Sequence, residues 1–163
     1  MKITNSAKMS IIYYIMELME DFGFVHGRYT VIDSYPNIQT DSPVFPLITV
    51  GSPYRSSVPV QLSSRPCIEI RVAIDVFANS EAQKSDIVDL LQENIVDKYL
   101  TVYNFSTGFP SAVGVYTGIS NYGKMLVKGF SSVDMPSSKF EKIEQEKYHE
   151  MIIITIQLPI NSL

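Results

Sequence analysis

Within "IEIRVAIDVFANSEAQKSDI", every even-numbered residue from 68 to 76 is apolar: Ile68, Ile70, Val72, Ile74 and Val76. Successive side chains of a strand point to opposite sides, so strict alternation means a ribbon with one dry face. The other face carries Glu69, Arg71 and Asp75. A strand of an all-parallel sheet is buried on both sides and reads as an unbroken apolar run. Cys67–Ala78 is therefore not part of such a sheet, and its odd face needs separate explanation. Asn79 and Ser80 then end the alternation. Ser80 with Gln83 three residues on makes a capping box, and Glu81 in the first turn suits the helix dipole. Ile87, Leu90, Leu91, Asn94 and Ile95 follow at helical spacing, so one stripe of that helix faces the sheet.

The remaining elements are arranged around this strand–helix unit. Ile11, Ile15, Leu18 and Phe22, widened by Ile12 and Met19, predict a helix over residues 6–22, stopped by Gly23. A short strand is expected within 24–34 and another within 45–51, "FPLITVG". Six of the nine prolines lie between Pro36 and Pro66, where each removes an amide donor and fixes φ. Residues 51–66, "GSPYRSSVPVQLSSRP", contain no acid. They read as a long loop, either a plain connection or an arm that orders on a partner, with Val58–Leu62 as a possible hairpin strand. Residues 99–146 are expected to be loop-rich. Short strands and turns fill 99–121, a strand starts at Tyr122, and the charged "SSKFEKIEQEK" is a turn of helix or a loop. The last strand, residues 148–160, is apolar on both sides at Met151–Ile154, which places it centrally.

Length and composition set limits. A chain of 163 residues suits a single domain, 1–163, with its own core. Its net charge of −4 argues against broad electrostatic binding to nucleic acid. Cys67 is the single cysteine, so no internal disulfide forms. Glu17 interrupts the apolar N-terminal run and no small-residue cleavage site follows, unlike a signal peptide. No stretch approaches the roughly 18 uncharged apolar residues of a membrane span. Asn104-Phe105-Ser106 matches a glycosylation sequon, read here as coincidence.

Candidate chemistry is sparse. "GISNYGKM", Gly118–Met125, has the frame of a phosphate loop. Met125 stands where a magnesium-binding hydroxyl is required, and strand-like sequence follows where a helix is needed. His26, His149 and Cys67 stand alone in their neighbourhoods, so no metal site and no Cys–His nucleophile is expected. Glu69 and Asp75 share a strand face but lie roughly 20 Å apart at about 3.3 Å per residue, too far to act on one bond. No catalytic residue, cofactor or metal is expected.

The order of parts is more informative than any single motif. An N-terminal helix leads into a Pro-rich stretch, then "PLITVG", a loop, the alternating "IEIRVAIDVFANS" and the capped helix "EAQKSDIVDLLQENI". Over residues 6–97 this succession resembles the tail-completion, or tail-terminator, proteins of tailed bacteriophages. The resemblance implies a small α+β subunit, a mainly antiparallel sheet with helices packed on one face. Such subunits form a ring, typically a hexamer, that caps the tail tube and offers a docking surface to the head connector or neck. It implies no reaction, a place in the virion reached from the host cytoplasm, and a lumen through which DNA passes without specific recognition. Glu69, Arg71 and Asp75 would then meet a neighbouring subunit or line the ring, and Arg55 and Arg65 would be the fixed charges of the 51–66 arm. The rival expectations are a head–tail connector or neck adaptor, a small cytoplasmic enzyme with a cleft at 99–130, and a ligand-binding α+β domain.

Overall fold

The computed structural model describes residues 3–33, 43–51, 54–62, 65–106, 108–110, 120–135 and 148–159, with side chains described for all of these except 54–62, 65–67, 120–122 and 159. The elements are α1 (Ile3–Asp21), β1 (Thr30–Ile32), β2 (Leu47–Val50), β3 (Tyr54–Leu62), β4 (Arg65–Ala78), α2 (Glu81–Ile95), β5 (Tyr99–Asn104), β6 (Ser120–Asp134) and β7 (Tyr148–Pro159). The strands form one seven-stranded sheet in the order β1-β2-β4-β7-β6-β5, with β3 also paired to β4. Only β1–β2 is parallel; the other pairs are antiparallel. Both helices pack on one face, α1 against β5, β1 and β2, and α2 against β4 and β7. The fold is α+β, in a single domain.

The alternating strand sits at the centre of this arrangement. Ile70, Val72, Ile74 and Val76 are at most 1% exposed, as are Ile152, Ile154, Ile156 and Leu158 of β7 beside them. Ile87, Leu91 and Ile95 of α2 and Ile11, Ile15 and Met19 of α1 close over them. Full burial of each such side chain contributes about 2 kcal/mol. β7 lies between β4 and β6, the central position that its doubly apolar middle requires. Ser80 caps α2 as its sequence indicates: the hydroxyl accepts from the Gln83 amide at 3.1 Å. The Gln83 side chain returns the bond to the amide of Asn79, 2.9 Å away, one residue earlier than in the usual box.

Several expectations need correction. The helix begins at Ile3 and ends at Asp21, and Phe22 is 52% exposed beyond it. Gly23, at φ +103°, stops the helix as expected. Its amide reaches the Glu20 carbonyl and that of Phe24 the Met19 carbonyl, the paired bonds of a left-handed C-terminal cap. The short strand expected within 24–34 is present as Thr30–Ile32, after this cap. The 51–66 stretch is not a long loop. Its residues 54–62 are β3, which continues along the β4 edge that β2 begins. Within 99–146, expected to be loop-rich, β5 and the fifteen-residue β6 are ladder; "SSKFEKIEQEK" lies outside the described residues. β6 also takes in most of the "GISNYGKM" frame, which is therefore strand from Ser120 onward.

The β5 edge of the sheet is closed by α1. Tyr14 Oη accepts the Thr101 amide at 2.9 Å, and Ser10 Oγ accepts the Tyr103 amide, also at 2.9 Å. Ser10 in turn donates to the Ser6 carbonyl, 2.7 Å away. Unpaired edge amides invite another strand, and here helix side chains occupy them. Tyr14→Phe keeps the ring and removes the acceptor. Its expected cost is about 1–2 kcal/mol in urea denaturation, with faster aggregation on partial unfolding.

In the first turn of α2, Lys84 is 2% exposed. It meets Asp134 at 2.6 Å, Glu81 at 2.9 Å and Glu150 at 3.8 Å. Burial by itself lowers its pKa, but the bonds to Asp134 and Glu81 outweigh burial and hold it above the ordinary 10.5. Burial beside Tyr14 and Glu17 also pushes Tyr103 up to about 12. In both cases the folded state holds its proton more tightly than the unfolded chain. Their contribution is complete below the ordinary values and disappears as pH rises through the folded ones. The thermal midpoint is expected to fall steeply above about pH 10, and less steeply in Lys84→Met; a calorimetric pH series checks both.

Candidate functional site

The face that the helices leave uncovered divides into two halves. Register fixes its members. Leu47, Phe77 and His149 lie in one row across β2, β4 and β7, and Thr49, Asp75 and Met151 in the next. Further along come Ala73 with Ile153, Arg71 with Thr155, and Glu69 with Gln157. β6 extends these last rows with Ser131, Gly129 and Leu126.

The first half is dry. Leu47, Thr49, Asp75, Phe77 and His149 are all at most 4% exposed. His149 Nε2 lies 2.8 Å from Asp75 Oδ1, and its ring stacks on Phe77 with centroids 4.1 Å apart at 18°. This pair joins β4 to β7 inside the subunit. Asp75 was expected on an interface with Glu69 and Arg71; instead its carboxylate is committed to an interior hydrogen bond. An imidazole–carboxylate pair is also a part of many hydrolytic sites. Here both groups are out of reach of bulk solvent, and the arrangement acts as a cross-strand lock.

The second half is open. Arg71 is exposed. With Gly129, Phe130, Ser131, Ile153 and Thr155 it lines a shallow depression of about 350 Å³. Gly129 is needed there because a Cβ would stand 3.0 Å from Thr155 Oγ1. No carboxylate, histidine or cysteine is among these six described residues. Glu69 is half-buried nearby. The pairing of Glu69 with Arg71 that their spacing allows is not formed. Among the described residues no ion pair involves either.

Compared with known proteins, this chain matches no family model, and no curated protein matches it. The site therefore has to be judged on its own geometry. Of the residues singled out in the sequence, Glu69 and Arg71 lie together on the open half, and Asp75 belongs to the dry half. Arg55 lies in β3 and Arg65 opens β4, in backbone register with Ile70 and Leu62 respectively; their side chains are outside those described. Cys67 pairs in backbone register with Val60 and Pro159. His26 is exposed and contacts Glu20 at 3.1 Å. Among the described residues no group of three or more His, Cys, Asp or Glu side chains is placed to hold a metal, and no helix is long and apolar enough to cross a membrane. The sequon asparagine serves its own loop, where Asn104 Oδ1 accepts the Ser106 amide at 3.0 Å, an Asx turn.

His149 was missed because its partner is 74 residues away. Aligning the apolar faces of the two strands, Ile74 with Ile152, would have brought it diagonal to Asp75. Asp75→Ala is expected to cost about 2–4 kcal/mol, since it leaves a buried imidazole without its partner. Asp75→Asn is expected to cost less, and Arg71→Ala under about 0.5 kcal/mol because it is exposed. Urea denaturation of the three variants checks the order.

Proposed function

We propose that this chain is the ring-forming subunit of a phage tail terminator, which caps the tail tube and presents the surface to which the head is joined. The observation that carries this reading is the half-open sheet face. Both helices lie on one side of the subunit, and an exposed arginine beside a shallow depression lies on the other, which supports a face that a neighbouring protein covers. The order of parts, with "PLITVG" in β2, the alternating strand in β4 and its capped helix α2, supports the same assignment. In this reading the assembled ring is hexameric, its partners are the tail tube protein and the head connector or neck, and DNA traverses the lumen. The protein then acts by surface complementarity and catalyses nothing.

The test is the mass of the purified protein by light scattering, followed by negative-stain imaging. Rings about the width of a tail tube, which bind tubes in preference to portal-bearing heads, are expected. Preference for the heads would make it a neck adaptor. A protein that remains a monomer at all concentrations would remove the ring assignment.

A further inference from the structure

The Arg71 depression has an obvious deficit. Arg71 is an exposed cation, unpaired among the described residues, on a chain of net charge −4. A guanidinium presents a planar fork that matches a carboxylate, and Thr155 and Ser131 line the same depression. Gln157, in the row next to Thr155 and Arg71, is 7% exposed, and its Oε1 has no hydrogen-bond partner. That oxygen is an acceptor, which a carboxylate cannot satisfy, so it is the unpaired guanidinium that calls for an acidic partner.

Most carboxylates of the α1 side are already engaged. Glu17 accepts from Tyr13, Glu20 from Tyr29, and Asp33 faces Lys8. Asp134 and Glu81 hold Lys84. The outer surface of α2 differs. Asp86, Asp89 and Glu93 are exposed and follow one another at i, i+3 and i+7, so they form one stripe. Among the described residues none of the three has an ion pair. Lys84, the only base in α2, is buried beneath the helix, so nothing on the outer surface offsets them.

We propose that the joint between neighbouring copies is the acidic stripe of α2 on one subunit, with Asp86, Asp89 and Glu93, laid on the Arg71 depression of the next. This rests on the ring reading above and names its interface. The two patches lie on opposite layers of the subunit, so the contact is heterologous, and each copy uses both patches once. Such a contact propagates from copy to copy and closes when the rotation per step allows.

Charge reversal tests it. One variant is Arg71→Glu; the other combines Asp86→Lys, Asp89→Lys and Glu93→Lys. All four positions are exposed, and circular dichroism confirms that each variant folds. Alone, each variant is expected to need at least about tenfold higher concentration than wild type to assemble. Mixed in equal amounts they are expected to regain assembly, because each reversed patch now meets its complement. Assembly of either variant at the wild-type concentration overturns the proposal, as does a mixture that stays apart. So does an Arg71→Glu protein that assembles normally but loses retention of duplex DNA, since Arg71 would then face phosphate. In those three cases wild-type rings still form and the ring reading stands. Wild type that never assembles overturns both.

Discussion

A slip of one residue between β4 and β7 would turn Ile70, Val72, Ile74 and Val76 out of step with Ile152, Ile154 and Ile156. The pairing runs unbroken over twelve residue pairs, from Cys67–Pro159 to Ala78–Tyr148, and everything else is laid against it. Because side chains alternate with a period of two, this register decides at once which residues meet the helices and which do not. It also brings His149 diagonal to Asp75, and the resulting hydrogen bond resists any slip. The apolar layer and the polar lock therefore specify the same alignment from opposite faces. That agreement between independent local preferences is what gives a sequence one structure.

The edges of the sheet are managed differently from its faces. α1 supplies Tyr14 and Ser10 to the amides of β5. At the other side β1 has only three residues, and β3 carries a register shift between Ser56 and Val60 with Pro59 inside it. Short strands, irregular pairing and proline all weaken an edge as a template for another strand. One group of aromatic side chains is drawn inward beside β5. Tyr13 and Phe105 are at most 2% exposed, and with Tyr14, Tyr103 and Phe109 they form a cluster with centroids 5.0 to 6.4 Å apart. Three of the chain's ten tyrosines are used in this packing of α1 on β5 and the segment after it, while Tyr99 and Tyr148 are exposed.

How much was legible followed from the range of the interactions. The fold class, the buried face of β4, the cap of α2 and the central position of β7 are local patterns of period two or 3.6, and they could be read directly. Of residues 54–62, only Val58–Leu62 could be read, as a possible hairpin strand, and it is part of β3. Ser56, Ser57 and Pro59 give a loop-like composition, and β3 is a strand because β4 offers it a ladder. On the functional face, Arg71 and Glu69 were correctly placed on the side away from the helices. Asp75 shares their parity and not their environment: parity assigns a face, while burial along that face depends on what neighbouring strands bring.

That gradient along a single strand shapes what the protein can do. Within nine residues of β4 the odd face passes from half-buried Glu69 and exposed Arg71 to Asp75 at 4% and Phe77 at 2% exposure. The dry end secures the register and can tolerate little change. The open end exposes Arg71, whose substitution touches no buried contact of its side chain. Because Asp75 is committed to His149, it cannot neutralise Arg71, and Glu69 does not. Arg71 is thus without an ion pair among the described residues. With the edges weakened as templates and one layer closed by helices, the open half of the sheet is the face to which the proposed joint is assigned, and its exposed arginine would suit an acidic counterpart.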